Sequence, residues 1–255
     1  MYRVKSNAVW HSLPGVVAAY MPISAPDPLA ARQNVAHNGA RFGVYTAALG
    51  VLPTWQSSTG WSFDGTSQYL NTNVIPSDGT WSYLLRFSNA QINSSYQGIF
   101  GLAQAGKYIA FNSLDTTNTH GFYNGAAVLS RSGSFPAGII GMANRNAYEN
   151  GLLVSSSIPA WSSAPTIPIY LGAINGNSWE YNGYNTTSAC LIVSRTLSPA
   201  EMWLASRQMA YCHVNPDWSA WKRRRQYYYA PSAAAAAFNP AWARNANTLL
   251  GGGFD

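Results

Sequence analysis

The chain has 255 residues, of which only 9% are charged and 14% are aromatic, whereas an average soluble domain carries roughly 25% charged residues. Such scarce charge excludes a coiled coil and a charged disordered chain. The apolar runs are too short for a membrane span, and none has the position of a secretory signal. Four of the fifteen Lys and Arg residues behind the net charge of +6 lie at 222–225. This concentration argues against a general nucleic-acid-binding surface, so nucleic acid is not among the predicted partners.

The predicted elements are mostly short β-strands. After a first run at 16–20, residues 80–88 alternate with Trp81, Tyr83, Leu85 and Phe87 on one face, which predicts a half-buried strand. Asn150-Gly151 separates two strand-like runs and predicts a tight hairpin, because both central residues need positive φ. Further strands are predicted at 97–102, 107–112, 119–124, 126–130, 138–143, 167–173 and 186–194. This pattern is typical of a β-sandwich or jelly roll.

One helix is predicted after the last strand. Ser198-Pro199-Ala200-Glu201 is a capping box with Pro at the first helical position. Met202, Ala205, Met209 and Cys212 follow at helical spacing, and the helix is expected to end near Cys212. Cys190 and Cys212 are interpreted as small buried hydrophobes.

The chain is divided into a body, residues 1–212, and a C-terminal arm, residues 213–255. The arm shows neither strand nor helix periodicity, but it is rich in aromatic residues. We predict that it is an extended segment that docks on neighbouring subunits, because Arg and Tyr are enriched at interfaces. The residues expected to make this contact are Lys222, Arg223, Arg224, Arg225, Tyr227, Tyr228, Tyr229, Phe238 and Trp242.

Several motifs in the body resemble those of laminin-G-like, concanavalin A-like lectin and glucanase domains. Residues 61–70 (WSFDGTSQYL) resemble the F-D-G-x-x-x-Y-L strand, and 148–154 (YENGLLV) resemble the Y-x-N-G-x-x-V hairpin. Residues 169–173 (IYLGA) and the stretch from 181 to 201 resemble the closing strands, in the same order as in the family. The resemblance implies an all-β jelly-roll sandwich of two antiparallel sheets.

A second resemblance concerns the arm. Its Arg- and Tyr-rich stretch and the segment 239–251 (NPAWARNANTLLG) are similar to those of structural proteins of tailed bacteriophages. This resemblance implies a non-enzymatic virion protein, a head decoration, head fibre or tail component, assembled in the host cytoplasm. Its partners would be other virion proteins and further copies of itself, with no membrane contact.

Catalysis and metal binding find little support in the acidic residues. Glycoside hydrolysis needs two carboxylates about 5–10 Å apart, and no two acids lie within ten residues of each other. They are Asp27, Asp64, Asp78, Asp115, Glu149, Glu180, Glu201, Asp217 and Asp255. We therefore predict that the chain is not an enzyme and needs no cofactor, with a glycan hydrolase as the second alternative. Asp64, Asp78 and Asp115 are interpreted as turn residues rather than calcium ligands, and the four His residues show no zinc spacing.

Carbohydrate binding is the first alternative function, in the form of a module for host surface glycans. Aromatic rings beside amide groups suit the faces and hydroxyls of sugars. Such a group precedes the last long strand and consists of Asn175, Asn177, Trp179, Tyr181 and Asn182.

Overall fold

A computed structural model describes residues 10–23, 25–36, 48–49, 51–91, 98–105, 107–112, 119–125, 127–133, 135–158, 163–176 and 180–211. For residues 48–49, 124–125, 127–128 and 180–181 it describes the backbone alone. The chain divides into two units, Met1–Pro216 and Asp217–Asp255, and all described residues belong to the first. Cys212 and the predicted arm, with all its contact residues, lie outside the described residues, so the arm stays a prediction.

The described elements are almost all β-strands. A short 3-10 helix, Trp10–Ser12, comes first. The first half of the chain then contains β1 (Val16–Tyr20), the helix α1 (Pro28–Ala31), β2 (Ala48–Leu49), β3 (Thr54–Gln56), β4 (Gly60–Asp64), β5 (Leu70–Asn71), β6 (Ser82–Ser88), β7 (Gly98–Gln104), β8 (Lys107–Asn112) and β9 (Thr119–Gly125). The second half contains β10 (Ala127–Ser132), β11 (Gly138–Ala143), β12 (Asn146–Glu149), β13 (Leu152–Ser155), β14 (Tyr170–Leu171), β15 (Ala173–Asn175), β16 (Glu180–Asn182), β17 (Tyr184–Val193) and the helix α2 (Pro199–Tyr211). Neither helix is long and apolar enough to cross a membrane.

The strands form two sheets. The first sheet has the order β13-β12-β11-β6-β17-β4-β3, and β1 pairs with β17 beyond the end of β4. The second sheet has the order β10-β9-β8-β7-β14-β5-β2, with β15 joining β7 to β16. The pairings are antiparallel except for the short contact of β15 with β7. The fold is therefore the predicted all-β sandwich of two antiparallel sheets with one helix after the last strand.

The core between the sheets is built around three phenylalanines. Phe100, Phe111 and Phe122 lie side by side on β7, β8 and β9, because the register pairs Phe100 with Phe111 and Phe111 with Phe122. All three are fully buried, and Tyr83 of the first sheet approaches Phe100 with 5.9 Å between ring centroids. Burying each such ring contributes about 1.5–3 kcal/mol, so this row joins the two sheets.

The outer face of the first sheet is covered by α2, which corrects one prediction. The alternation at 80–88 predicts a half-buried strand with Ser82 on its polar face, but Ser82 and its neighbour Leu84 are both fully buried. The side chains of Met202 and Leu84 lie close to Gly141, which shows that the helix packs directly on this face. Ser82 donates to the carbonyl of Arg195 and accepts from the amide of Leu197, both at 2.8 Å. The strand is therefore buried on both faces.

Two local predictions are confirmed. Ser198 donates its amide to Glu201 Oε2 at 2.8 Å and its hydroxyl accepts from the Glu201 amide at 3.3 Å, which completes the capping box. Asn150 and Gly151 have φ angles of 50° and 83°, as the hairpin between β12 and β13 requires.

Arg195 connects three parts of the body. Its guanidinium binds the Glu201 carboxylate through two contacts, Nη1 to Oε2 at 3.1 Å and Nη2 to Oε1 at 2.6 Å. Its Nε also donates to the carbonyl of Pro14 at 2.8 Å. The turn before β1, the end of β17 and the start of α2 are thus held by one side chain, which gives the Arg and Glu of the closing motif a structural role.

Candidate functional site

The outer face of the second sheet carries four tyrosines, and we call it the tyrosine face. Tyr123 lies opposite Ala110, which in turn lies opposite Gly101, and Tyr108 lies opposite Ala103. These positions alternate with those of the phenylalanines, so their side chains share the face that points away from the phenylalanine row. Tyr170 pairs with Gly101 across the other edge of β7. The ring of Tyr69 stacks on that of Tyr170, with centroids 4.4 Å apart and planes at 8°.

Small residues lie beneath and between these rings. Ala103, Ala110 and Ile174 form a buried cluster on this face, and Tyr108 and Tyr123 pack against it while remaining half-buried. Gly101 has a φ of 137°, and a Cβ there would lie 1.9 Å from the carbonyl oxygen of Ile109, so only glycine fits. The face is therefore aromatic with phenolic hydroxyls, and the four tyrosines bring no formal charge to it.

The predicted glycan-binding residues belong to the β15–β16 hairpin, which lies against the tyrosine face through Ile174. Asn175 is buried, and its Nδ2 donates to the Pro168 carbonyl at 2.8 Å, so this amide makes a structural hydrogen bond inside the fold. Asn182 donates to the Thr66 carbonyl at 3.0 Å. Tyr181 is described by its backbone, opposite Ile174, while Asn177 and Trp179 lie outside the described residues.

The four tyrosines were missed by the sequence prediction. Each lies in or next to a run that was predicted as a strand, yet they come from positions 69, 108, 123 and 170. Only the pairing of β7 with β14 and of β8 with β9 brings them to one face. The alternation within each strand predicts which of its side chains lie on the same side of the sheet, but it does not predict which strands are neighbours.

The acidic side chains that the structure describes are all engaged by nearby donors. Asp27 accepts from the amide of Ala30 at 2.7 Å at the start of α1, and Asp78 accepts from the amide of Thr80 at 2.8 Å. Glu201 takes part in the capping box and the Arg195 pair. Glu149 binds His120 and Arg131. Each of these carboxylates therefore already has a structural partner, and no two of them are free to act together on a substrate.

Asp64 shows how strongly one of these turns holds its carboxylate. Its Oδ1 accepts from the amides of Thr66, Ser67 and Gln68 at 2.9, 3.0 and 3.1 Å. Burial alone would raise the pKa of Asp64, but these hydrogen bonds outweigh it and hold the pKa well below its usual range. The F-D-G pattern at 63–65 is thus explained by turn geometry.

A second polar cluster joins the two sheets at one edge and was not predicted. His120 on β9 is only 5% exposed, and its Nε2 lies 2.8 Å from Glu149 Oε1 on β12. Arg131 Nε on β10 lies 2.7 Å from the same oxygen. The other ring nitrogen of His120 contacts the Gly133 carbonyl at 3.0 Å, and Phe135 stacks on the ring at 5.2 Å. His120 is buried, whereas the Arg131 side chain at the rim of the cluster is 38% exposed. The cluster has the character of a structural tie between the two sheets.

The described residues contain no group of three or more His, Cys, Asp or Glu placed to hold a metal ion. Asp64 and Asp78 occupy separate turns, and Asp115 lies outside the described part of the chain. Cys190 is fully buried on the central strand β17, and burial raises the pKa of its thiol. It therefore packs as a small hydrophobe, as predicted.

Solved structures share this fold. One is a mutant of Trypanosoma rangeli sialidase that displays trans-sialidase activity, with a TM-score of 0.52, 15% identity, and coverage of 80% of this chain and 34% of that chain. Another is the F1240A mutant of HCR/D, with a TM-score of 0.51, 11% identity, and coverage of 79% and 52%. The binding domain of Botulinum neurotoxin DC in complex with rat synaptotagmin II is less similar, with a TM-score of 0.49, 10% identity, and coverage of 77% and 52%.

The first two likenesses show the fold. The chain corresponds to about a third of the length of the sialidase and about half of the length of HCR/D. No protein-family model matches the sequence, and no curated protein sequence matches it.

Proposed function

We propose that the chain is a non-enzymatic binding module, a lectin-like jelly roll, and that its tyrosine face binds carbohydrate. The observation that carries this proposal is the grouping of Tyr108, Tyr123 and Tyr170 around small residues on the outer face of the second sheet. Tyrosine offers a flat apolar ring and a hydroxyl in one side chain, which matches the apolar faces and hydroxyls of a sugar. Because the four tyrosines carry no formal charge, we propose a neutral glycan as the ligand.

The β15–β16 hairpin adds to this site. Ile174 fixes the hairpin against Tyr108 and Tyr123, and in the sequence residues 177–179 lie between its two strands. Asn177 and Trp179 are therefore proposed as further sugar contacts, and Asn182 as a residue that positions the hairpin through its bond to Thr66.

The test is binding of the full chain to an array of neutral and acidic glycans, followed by titration of the best neutral glycan. Tyr108→Ala and Tyr170→Ala are each expected to weaken binding about tenfold, since an aromatic contact is worth about 0.5–1.5 kcal/mol beyond its buried area. Tyr211→Ala, an exposed tyrosine on α2, is the matched control and should bind normally. Absence of any glycan binding, or equal binding by all variants, would remove the proposal.

We further propose that this module belongs to a bacteriophage particle, where residues 213–255 attach it to other virion proteins and where further copies of the chain adjoin it. The support is the sequence resemblance of the arm and the aromatic, Arg-rich composition of 222–229. A chain truncated after Cys212 is expected to keep its fold by circular dichroism and to be lost from purified particles. Normal incorporation of the truncated chain would refute this role.

A glycan hydrolase is the second alternative, and the absence of catalysis is part of our proposal. The absence of catalysis is supported by the capping, turn and ion-pair roles of the described acidic residues. The likeness to a sialidase concerns the fold alone. Incubation of the full chain with the bound glycan, followed by mass spectrometry, should release no product. A released sugar would favour the hydrolase.

A further inference from the structure

The exposed face of α2 has an unusual composition for a surface helix. Its inner face, formed by Met202, Ala205 and Met209, is buried against the first sheet. A solvent-facing stripe is normally charged, but here it carries one charge. The exposed residues of the helix are Pro199, Ala200, Trp203, Arg207, Ala210 and Tyr211.

Three of these side chains form a fixed ladder. Arg207 lies with its guanidinium carbon 5.6 Å from the ring centre of Trp203 and 5.5 Å from that of Tyr211. Its Nη2 also donates to the Tyr211 hydroxyl at 3.2 Å. Trp203 is 48% exposed and Tyr211 61% exposed. Because the side chains hold one another, little conformational entropy remains to be lost when a partner binds.

The order of the exposed residues is symmetric about Ala205. Trp203 and Arg207 are equally far from that position, and so are Ala200 and Ala210. Pro199 and Tyr211 form the outermost pair. The spacing of 200, 203, 207 and 210 is that of the contact seam between two packed helices. The stripe therefore matches itself when a second helix runs antiparallel across a two-fold axis near Ala205.

This symmetry makes the face chemically complementary to itself. An antiparallel copy places Trp203 against the partner's Arg207, and the two-fold axis repeats that contact, so a cation meets an aromatic ring twice. Like charges do not meet, because each Arg207 faces a tryptophan. Ala200 faces the partner's Ala210 at both ends, and such small residues let the helices approach closely. Tyr211 faces the partner's Pro199.

A neighbouring hydrophobic residue extends the face. Gly151 in the β12–β13 hairpin packs directly on the backbone of Trp203, since a Cβ there would lie 3.0 Å from its Cα. Leu153 is exposed and pairs with Tyr148, which in turn pairs with Gly141 on the side of the sheet that α2 covers. A helix of thirteen residues is about 20 Å long, so the contact belongs to the small interfaces, below about 1,200 Å² in total, that form weak and concentration-dependent dimers.

We propose that the exposed face of α2 binds a second copy of this chain in an antiparallel, two-fold symmetric contact. The contact gives one surface for the homo-oligomer in the proposed function, but it can be tested apart from the particle and from glycan binding, because self-association is measured on the purified chain alone.

The test is sedimentation velocity of the full chain over a hundredfold range of concentration. The parent chain is expected to pass from monomer to dimer. Trp203→Arg places cations against cations at both contacts and should raise the dimer dissociation constant at least about tenfold. Combining Trp203→Arg with Arg207→Trp exchanges the two partners, restores both cation-ring contacts and should recover dimerisation. Leu52→Arg, which places the same charge on another exposed hydrophobic residue, is the matched control and should dimerise normally.

Three outcomes would overturn the proposal. A monomer at every concentration would show that this face does not bind a second copy of the chain. Association that Trp203→Arg leaves unchanged would place the contact elsewhere. Failure of the exchange variant to recover, in a chain whose thermal unfolding matches the parent, would exclude the antiparallel pairing of Trp203 with Arg207. In each case, loss of the truncated chain from particles would still support the role of residues 213–255.

Discussion

The pair of Arg195 and Glu201 allows a quantitative prediction, because its strength is visible in the pKa of the carboxyl group. The hydrogen bonds from Arg195 lower the pKa of Glu201 from 4.5 to about 2, with help from Ser198 and against the effect of burial. A change of that size corresponds to about 3 kcal/mol before solvent screening. The two side chains are 33% and 31% exposed, so we reduce the value to about 1–2 kcal/mol. Glu201→Gln is expected to lower the free energy of unfolding by this amount at pH 7.

The effect should depend on pH in a defined direction. The pKa of Glu201 is lower in the folded chain than in the unfolded one, so its contribution is complete above about pH 4.5 and is lost as the pH falls towards 2. Thermal unfolding of the parent and of Glu201→Gln should therefore differ by about 2–8 °C in Tm at pH 7. The gap should narrow steadily below about pH 4.5.

The assay is circular dichroism melting of both proteins between pH 7 and pH 3, with Arg195→Gln and the double variant completing a double-mutant cycle. The double variant should lose less than the sum of the single variants, since each single change already breaks the pair. Equal Tm values for the parent and Glu201→Gln at pH 7, or a gap that does not change with pH, would refute the reasoning.

Other parts of the core give further predictions. Gly172→Ala should lower the free energy of unfolding by more than about 3 kcal/mol or prevent folding, because φ is 80° and the Cβ would lie 2.2 Å from the Phe63 ring. Gly133→Ala, with φ of 100° and open space around it, should lower the free energy of unfolding by only about 1–2 kcal/mol in the same melts. Phe111→Ala should lower the free energy of unfolding in urea by about 3–5 kcal/mol, since the ring lies in the middle of the buried row; a loss below 1 kcal/mol would contradict that placement. Cys190, in a variant whose other cysteine is replaced by serine, should react with a maleimide only after unfolding, and prompt labelling of the native chain would contradict its burial.

The fold was predictable from the sequence wherever local chemistry decides the structure. Asn150-Gly151 needs no tertiary contact to specify a tight turn, and the capping box of Ser198 and Glu201 is complete within four residues. The strand at 80–88 was predicted correctly as an element, but its exposure was not. The burial of Leu84 depends on α2, which lies more than a hundred residues further along the chain.

The candidate site was predicted less well, because it depends on which strands become neighbours. The group that contains Asn175 and Asn182 was recognised from its composition, yet the role of Asn175 inside the fold follows from its bond to the carbonyl of Pro168, seven residues away. Tyr108 and Tyr170 share a face only through β7, which lies between their strands. The tie between His120 and Glu149 similarly joins strands of different sheets.

The position of β17 in the sandwich has a consequence for how the chain is made. This last strand lies in the middle of the first sheet, where it pairs with β1, β4 and β6. A ribosome therefore has to deliver residues up to 193 before the earlier strands can find their central neighbour, and pairing over such sequence distances is slow. The growing chain is expected to remain open, with strand edges available to chaperones, until translation of the body is nearly complete. Folding of the body then becomes a late event in synthesis, timed by the emergence of β17 from the ribosome.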